Sequence, residues 1–191
     1  MKDHSIVRLF LLMLSRLINL VLMFTIGVVW CTANPQSWRG FSPPHKQLII
    51  ELPEAPKLLT LKDERLPSIF PGSGTSTYYS VDLKPGGLHE LFFGFVNLSK
   101  HLSNRRFDQT VNGHMLWIAG DDKHFSKEVD LSVGGLHGRE FVFTKGDMSG
   151  RALFLNGGNR VYLLMYSAEG EGSPKETLDR IFDSFHPLRT R

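Results

Sequence analysis

The segment RALFLNGGNRVYLLMY, residues 151–166, constrains the fold more than any other part of this 191-residue chain. It contains two runs of β-forming residues, separated by the residues NGGN at 156–159. Asn and Gly tolerate the positive φ angles that tight hairpin turns need, so the segment predicts a β-hairpin. Both alternating faces of its strands are apolar, which is typical of strands that are covered on both sides. The segment therefore predicts hairpin strands with a layer of structure on each face.

Five further segments predict strands, because each is rich in β-forming residues and is bounded by glycine, proline or another turn signal. They are residues 47–52, 75–83, 88–98, 125–133 and 139–144. The turn residues KPGG at 84–87 join the second and third of these segments into a predicted hairpin.

Two segments predict helices. Residues 107–118 place Phe, Val, Met and Ile at i, i+4, i+8 and i+11, and Gly120 follows as a C-cap glycine. The residues SPKE at 173–176 form a capping box, with Ser173 at the N-cap and Pro174 at N1. An apolar face over 178–185 continues that second helix. We expect an α+β fold, an α/β/α sandwich with a mostly antiparallel sheet and helices on both faces.

An N-terminal hydrophobic segment precedes this fold, over residues 1–33. A span starting near Arg16 predicts a transmembrane anchor, because the arginine then lies at the inner boundary. A cleaved signal peptide fits nearly as well, with a basic start, an apolar run and a small-residue site after Trp30. A lipoprotein site at Cys31 is a third alternative, and bulky Trp30 argues against it. All three alternatives predict a body outside the cytoplasm, membrane-anchored, periplasmic or extracellular.

Residues 34–47, NPQSWRGFSPPHKQ, hold three prolines and few core residues. This composition predicts a linker between the hydrophobic segment and the folded domain. The domain organisation that we expect is therefore a targeting segment over 1–33, a Pro-rich linker over 34–47 and one domain over 48–188.

The composition excludes several classes of protein. Hydrophobic residues make up 41% of the chain and charged residues 21%, which is typical of a globular protein rather than a disordered one. The four charged residues of the hydrophobic segment account for most of the net charge of +3, so the body is nearly neutral. No basic stripe is visible, which argues against nucleic-acid binding. Because Cys31 is the single cysteine, the body cannot form a disulfide or use a cysteine nucleophile.

The segment VGGLHGREFVF, residues 133–143, raises the question of a phosphate-binding loop. Such a loop needs its glycines to open a helix, so that backbone N–H groups converge on the anion. These glycines precede a predicted strand, and no Gly-Lys-Ser/Thr follows them. The segment therefore predicts a tight turn into a strand.

Other candidate sites are equally weak. The histidines of the body show no H-x-H or H-x-x-x-H pair, and the acids of loop 121–124 lack the spacing of metal ligands. The loop 72–76 does not match G-x-S-x-G, and Glu169 and Glu171 lie in a glycine-rich loop where solvation is expected. We predict no catalytic residue, no metal ligand and no cofactor, and hence a protein that is not an enzyme.

The order of these motifs resembles the Mog1/PsbP-like superfamily, and most of all its exported bacterial members of the DcrB and LpqN type. The resemblance covers about residues 41–188 and is carried by GREF at 138–141, the NGGN hairpin with Tyr162, and FDSF at 182–185. It implies an α/β/α sandwich around an antiparallel sheet. Members serve as a small-GTPase accessory, a photosystem extrinsic subunit or exported proteins. The resemblance thus implies a binding or assembly module without shared catalytic residues.

Three residues are candidate contacts, either with a partner or within the fold: Arg139, Glu140 and Tyr162. Arg139 and Glu140 alternate on one strand, so we expect at most one to face the core side. We favour a structural role for Glu140, because a buried charge needs a partner. The leading hypothesis is a binding module that acts through protein contacts and reaches the membrane by its N-terminal segment. A small-molecule or lipid carrier with a cleft between sheet and helix, and an enzyme with a dispersed site, are the alternatives.

Overall fold

The computed structural model describes residues 37–44, 47–59, 73–83, 89–120, 125–170 and 174–188. The strands are β1 Arg39–Phe41, β2 Leu48–Leu52, β3 Lys57–Leu59, β4 Ser73–Asp82, β5 His89–Leu98, β6 Phe125–Val133, β7 Leu136–Lys145, β8 Met148–Asn156, β9 Arg160–Glu169 and β10 His186–Pro187. The helices are α1 Asn104–Ala119 and α2 Lys175–Ser184. All strands and helices predicted from the sequence are present, with ends that differ by a few residues.

Among the described residues, the main sheet has seven strands in the order β3-β4-β5-β9-β8-β7-β6. Every pair of neighbours in it is antiparallel. The hairpin predicted from the NGGN turn forms β8 and β9, which pair through Leu153 and Leu164 and have two or more strands on either side. The apolar character of both faces of this hairpin therefore reflects its position inside the sheet.

The two faces of the main sheet carry separate hydrophobic cores. Leu153 and Leu155 of β8 pack in the core that contains Ile181 and Phe182 of α2. The alternate residue Phe154 packs in the core that contains the stripe of α1. Successive side chains of a strand point to opposite faces, so the two helices lie on opposite faces of the sheet, as predicted.

A small second sheet lies beside α2 and differs from the linker predicted over 34–47. Its order is β1-β2-β10, and alternate residues of β2 belong to the α2-side core. Phe41 of β1 contacts the rings of Tyr79 and Phe93, with centroids 5.0 and 5.7 Å apart. The chain from Trp38 onward therefore belongs to the compact domain, because its aromatic residues fill gaps in the core.

The helix ends differ from the prediction at one position. Gly120 has a φ of 95°, and its N–H donates to the Leu116 carbonyl, as a C-cap glycine does. The second helix begins at Lys175, and Pro174 takes the N-cap position with a ψ of 136°. Pro174 was predicted one position further into the helix, and its extended ψ excludes that placement. Ser173, the predicted N-cap, lies outside the described residues.

The turn at Gly134 and Gly135 answers the question raised by VGGLHGREFVF. Both glycines have positive φ angles, 58° and 78°, and Val133 pairs with Leu136 across them. Two-residue hairpin turns of this kind need positive φ, which glycine adopts at little cost. The prediction of a tight turn is confirmed, and because the turn has only two residues, β7 begins at Leu136 rather than at Arg139.

Several sequence predictions fall outside the described residues. They are the N-terminal segment 1–33, the turn 84–87 and the acidic loop 121–124. Within the described ranges, no helix is long and apolar enough to cross a membrane.

Candidate functional site

Arg139 and Glu140 point to opposite faces of β7, and both side chains are largely buried. Arg139 forms ion pairs with Glu128 and Asp130 of the neighbouring strand β6, and it lies 5.5 Å from the centre of the Phe141 ring. Its side chain is 12% exposed. We expected at most one of the two residues to face a core. Because both faces of this sheet are covered, each of the two side chains instead points into a covered layer.

Glu140 belongs to a group of three charged residues, which we call the arginine triad: Glu140, Arg151 and Asp179. The Nε of Arg151 donates to Glu140 Oε1 at 2.7 Å, and its Nη1 donates to Asp179 Oδ1 at 2.8 Å. The guanidinium also lies 4.2 Å from the ring centre of Phe182. Since Asp179 and Phe182 belong to α2, the triad ties this helix to the sheet. Glu140 thus has the buried partner that a structural role requires.

An open cleft lies between the beginning of α2 and strands β7 and β8, beside the triad. We call it the helix cleft; it has a volume of about 590 Å³. Its apolar lining comes from Val142, Tyr166 and Leu178, and Ser149 and Lys175 supply polar groups. Glu140, Arg151 and Asp179 line it as well. The cleft is therefore largely apolar between a polar rim and an internally paired set of charges.

The side chain of Tyr166 contacts a buried histidine through its hydroxyl group. Nδ1 of His89 lies 3.1 Å from the Tyr166 hydroxyl oxygen, and both residues are buried. A buried hydrogen bond of this kind holds the hydroxyl end of the side chain in place. Tyr166 therefore contributes a positioned side chain to the wall of the helix cleft.

The chemistry that this arrangement favours is binding. The carboxylates of the triad both face one guanidinium, so the arginine compensates part of their negative charge at the cleft wall. The apolar lining suits a hydrophobic side chain or a small ligand. Among the described residues, no group of three or more His, Cys, Asp or Glu side chains is arranged to hold a metal ion.

Tyr162 lies in a different place from the other two predicted residues. It lines a second cleft, of about 510 Å³, at the end of the sheet where the NGGN turn lies. Its neighbours there include Leu136, Arg160 and Pro187. The structure thus brings Glu140 together with Arg151 and does not bring it together with Tyr162.

Two groups on the α1 side of the sheet have altered pKa values. Burial raises the pKa of the Tyr78 hydroxyl to about 12. Burial lowers the pKa of His114, whose ring lies edge-on to Phe154 at 6.3 Å. Neither residue lines the helix cleft or the cleft of Tyr162. Their pKa values therefore reflect packing in the core.

Sequence reasoning missed Arg151 and Asp179. A signal was present for the first, because Arg151 is a single charge at the start of a hairpin strand that is otherwise apolar. Such a charge needs a partner, and Glu140 on the preceding strand was the available acid. Asp179 carried no comparable signal, because a carboxylate on the polar face of a helix is ordinary.

The comparisons with known proteins bear on the fold. No protein-family model matches the chain, and a comparison with curated proteins found no similar sequence. The chain is similar in structure to cyanobacterial PsbP (CyanoP) from Synechocystis sp. PCC 6803, whose solution structure superposes with a TM-score of 0.51. The match has 10% sequence identity and covers 82% of this chain and 96% of the other.

The domain has a PsbP-like fold. This confirms the fold implied by the sequence resemblance, at the level of a mostly antiparallel sheet with two helices. At this level of identity the likeness concerns the fold alone. The function therefore has to be argued from the clefts and their residues.

Proposed function

We propose that this protein is a binding or accessory module that acts through protein contacts, with the helix cleft as its contact surface. The arginine triad is the observation that carries the proposal. It holds α2 against the sheet and places paired charges at the wall of an open, largely apolar cleft. Apolar clefts with a polar rim suit the anchoring side chains of a protein partner.

The proposal includes a location outside the cytoplasm. The hydrophobic segment 1–33 has basic residues before its apolar run, and this pattern favours export of the domain on its C-terminal side. The segment acts either as an uncleaved anchor or as a cleaved signal peptide. We also propose that the chain is related to the exported DcrB and LpqN type, on the motifs of its sequence.

The test is affinity capture from native membranes with the full-length protein and two variants. Ser149→Trp places an indole in the helix cleft, whereas Gln109→Trp adds the same group on an exposed turn of α1. We expect one set of proteins to be enriched with the unchanged protein and with Gln109→Trp, and to be lost with Ser149→Trp. Equal capture by all three would remove the cleft from the proposal, and no enrichment with any of them would contradict the binding module itself.

A small-molecule or lipid carrier is the second candidate, and the size of the helix cleft favours it. Its volume of about 590 Å³ lies within the range of ligand sites, roughly 300–1,000 Å³. Native mass spectrometry of the purified full-length protein tests this function. A bound molecule present in the unchanged protein and absent from Ser149→Trp would favour the carrier, and a mass equal to that of the chain alone in both would oppose it.

A further inference from the structure

The second cleft contains an arginine, Arg160, whose interactions differ from those of three other arginines in the domain. Arg139, Arg151 and Arg180 each form ion pairs with one or two carboxylates. Arg160, at the start of β9, instead donates from Nε to Asn97 Oδ1 at 2.8 Å and lies 4.8 Å from the ring centre of Phe95. Within the described ranges, its guanidinium has no carboxylate partner.

The position of Arg160 is held firmly by the turn that precedes it. Asn156 is buried, and its amide nitrogen donates to the Leu102 carbonyl and to Asn104 Oδ1. Its amide oxygen accepts a hydrogen bond from the backbone N–H of Gly158. The N–H groups of Leu98 and Leu102 donate to carbonyls of the same turn. Arg160 therefore begins its strand from a fixed backbone, and Asn97 and Phe95 orient the guanidinium in advance.

The remainder of the cleft has polar groups from Asn97 and Asn159 as well as an apolar side. Leu98, Leu136, Pro187 and Leu188 line it, together with Tyr162. Tyr162 is only 5% exposed, and its ring centre lies 6.4 Å from that of Phe95. A tyrosine hydroxyl can both donate and accept a hydrogen bond, so a ligand in the cleft could bind to it.

We propose that this cleft binds a carboxylate attached to an apolar body. The carboxylate would accept hydrogen bonds from the free N–H groups of Arg160, whose planar fork matches its two oxygens. The apolar body would lie along the leucines, with the Tyr162 hydroxyl near the charged end. None of the described residues that line the cleft is Asp or Glu, so the site favours an anion. One arginine balances the single charge of a carboxylate, whereas a phosphate dianion would remain half neutralised.

Such a carboxylate has two sources, a free organic acid or the C-terminus of a polypeptide. The probes 4-phenylbutyrate and N-acetyl-leucine represent them, and the corresponding amides are matched probes without the charge. Each probe is titrated into the full-length protein, kept soluble in a neutral detergent, and the arginine Nε–H resonances are followed by ¹⁵N NMR. Any partition of probes into the detergent affects the uncharged amides at least as strongly as the acids.

We expect at least one acid to shift the Arg160 resonance saturably and its amide to bind about tenfold more weakly, since each 1.4 kcal/mol is a factor of ten. The acid that binds identifies the source. Arg160→Gln should weaken binding of the acid by about tenfold or more, and Tyr162→Phe, which keeps the ring, by less. Arg180→Gln, which removes an exposed arginine outside this cleft, should leave the affinity unchanged.

Three results would overturn the proposal. One is the absence of saturable shifts with both acids, and another is equal affinity for an acid and its amide. The third is unchanged affinity of the acid for a folded Arg160→Gln variant. If Arg160→Gln fails to fold, unchanged affinity for Tyr162→Phe together with equal affinity for acid and amide decides against it. The site is separate from the helix cleft, so the proposed function can fail while this one holds.

Discussion

At the residue scale, charge pairs on the covered faces of the sheet matter more for stability than charge pairs on the surface. Glu140 and Arg151 are 9% and 19% exposed, whereas Glu51 and Arg180 are 44% and 49% exposed. Water screens the second pair and competes for its hydrogen bonds. The first pair lies where an unpartnered charge is costly, so the two pairs should respond very differently to the same substitution.

We predict that Glu140→Gln lowers the free energy of unfolding by about 2 kcal/mol, less than the roughly 3–5 kcal/mol for a fully buried pair because Asp179 still contacts Arg151. The matched variant Glu51→Gln should cost less than about 1 kcal/mol. Denaturant unfolding of both variants measures the difference. Similar losses in the two would mean that burial does not distinguish the pairs.

A glycine in the middle of β5 permits a close approach between strands. A Cβ atom at Gly94 would lie 2.1 Å from the Thr77 carbonyl oxygen and 2.9 Å from the Tyr78 ring. We predict that Gly94→Ala lowers the free energy of unfolding by about 2 kcal/mol or more, near the upper end for overpacking. Gly113 of α1 has no atom within 4 Å of its Cβ position, and Gly113→Ala should raise stability by about 0.5–1 kcal/mol. Urea midpoints of the two variants should therefore move in opposite directions.

The lowered pKa of His114 predicts a pH dependence of stability. As the pH falls below the ordinary value of 6.5, the unfolded chain binds a proton at this residue before the folded chain does. The free energy of unfolding should therefore fall between pH 7 and pH 5. His114→Phe keeps an aromatic ring against Phe154 and should reduce this slope. The measurement is the difference in slope between the two proteins, which isolates the contribution of this residue; identical slopes would contradict the assignment.

At the element scale, turns set the register of the hairpins that carry the clefts. The two-residue turn at 134–135 places Leu136 opposite Val133, and this register puts Glu140 on the α2 face of the sheet. A shift by one residue would move Glu140 to the other face and separate it from Arg151. The conformation of this short turn therefore sets the register that allows Glu140 to contact Arg151, although the turn itself lies outside the arginine triad.

We predict that Gly134→Val lowers the free energy of unfolding by about 1–2 kcal/mol, the cost of a left-handed residue other than glycine. Gly134→Asn should cost much less, because asparagine tolerates the same backbone conformation. Space does not limit either variant, since the nearest atom to the Cβ position is 3.9 Å away. Thermal unfolding compares them, and equal melting temperatures would mean that positive φ is not what this position requires.

At the scale of the whole molecule, the α2 side of the sheet is built from parts that are far apart in the chain. Helix α2 and strand β2 both contribute buried residues to the core on that face. Pairing to β2 brings in β1 on one side and β10 on the other. Trp38 adds a further contact from the same end of the chain, because the Arg180 guanidinium lies 4.2 Å from its ring centre. This layer closes only when both ends of the domain are present.

The boundary of the domain can be tested by truncation. A chain that starts at Trp38 should unfold cooperatively, whereas one that starts at Gln47 should lose about 2–3 kcal/mol, roughly the burial of one large aromatic side chain. The loss arises because Phe41 leaves its place against Tyr79 and Phe93. Denaturant unfolding of both chains measures it, and equal stability would mean that residues 38–46 behave as a linker.

The sequence by itself determined the seven longest of the described strands, the two described helices and the layered arrangement of the domain, but not the short strands β1, β3 and β10. Apolar residues on both faces of the 151–166 hairpin predicted that other elements pack on both sides of it. The two helices each have an apolar face that can pack there. The glycine turn at 134–135 was also determined locally, since it depends on the backbone freedom of two adjacent residues. These features depend on neighbours in the chain, which is why local patterns of residues were enough to predict them.

The tertiary structure alone decided which residues meet. Arg151 and Asp179 are 28 residues apart and join only because α2 packs across β8. The 34–47 segment has the composition of a linker, yet its aromatic residues pack against a core formed by β4 and β5. The clefts lie between elements and have no local pattern. Contacts between distant segments depend on register and packing, and single residues in a sequence do not specify either.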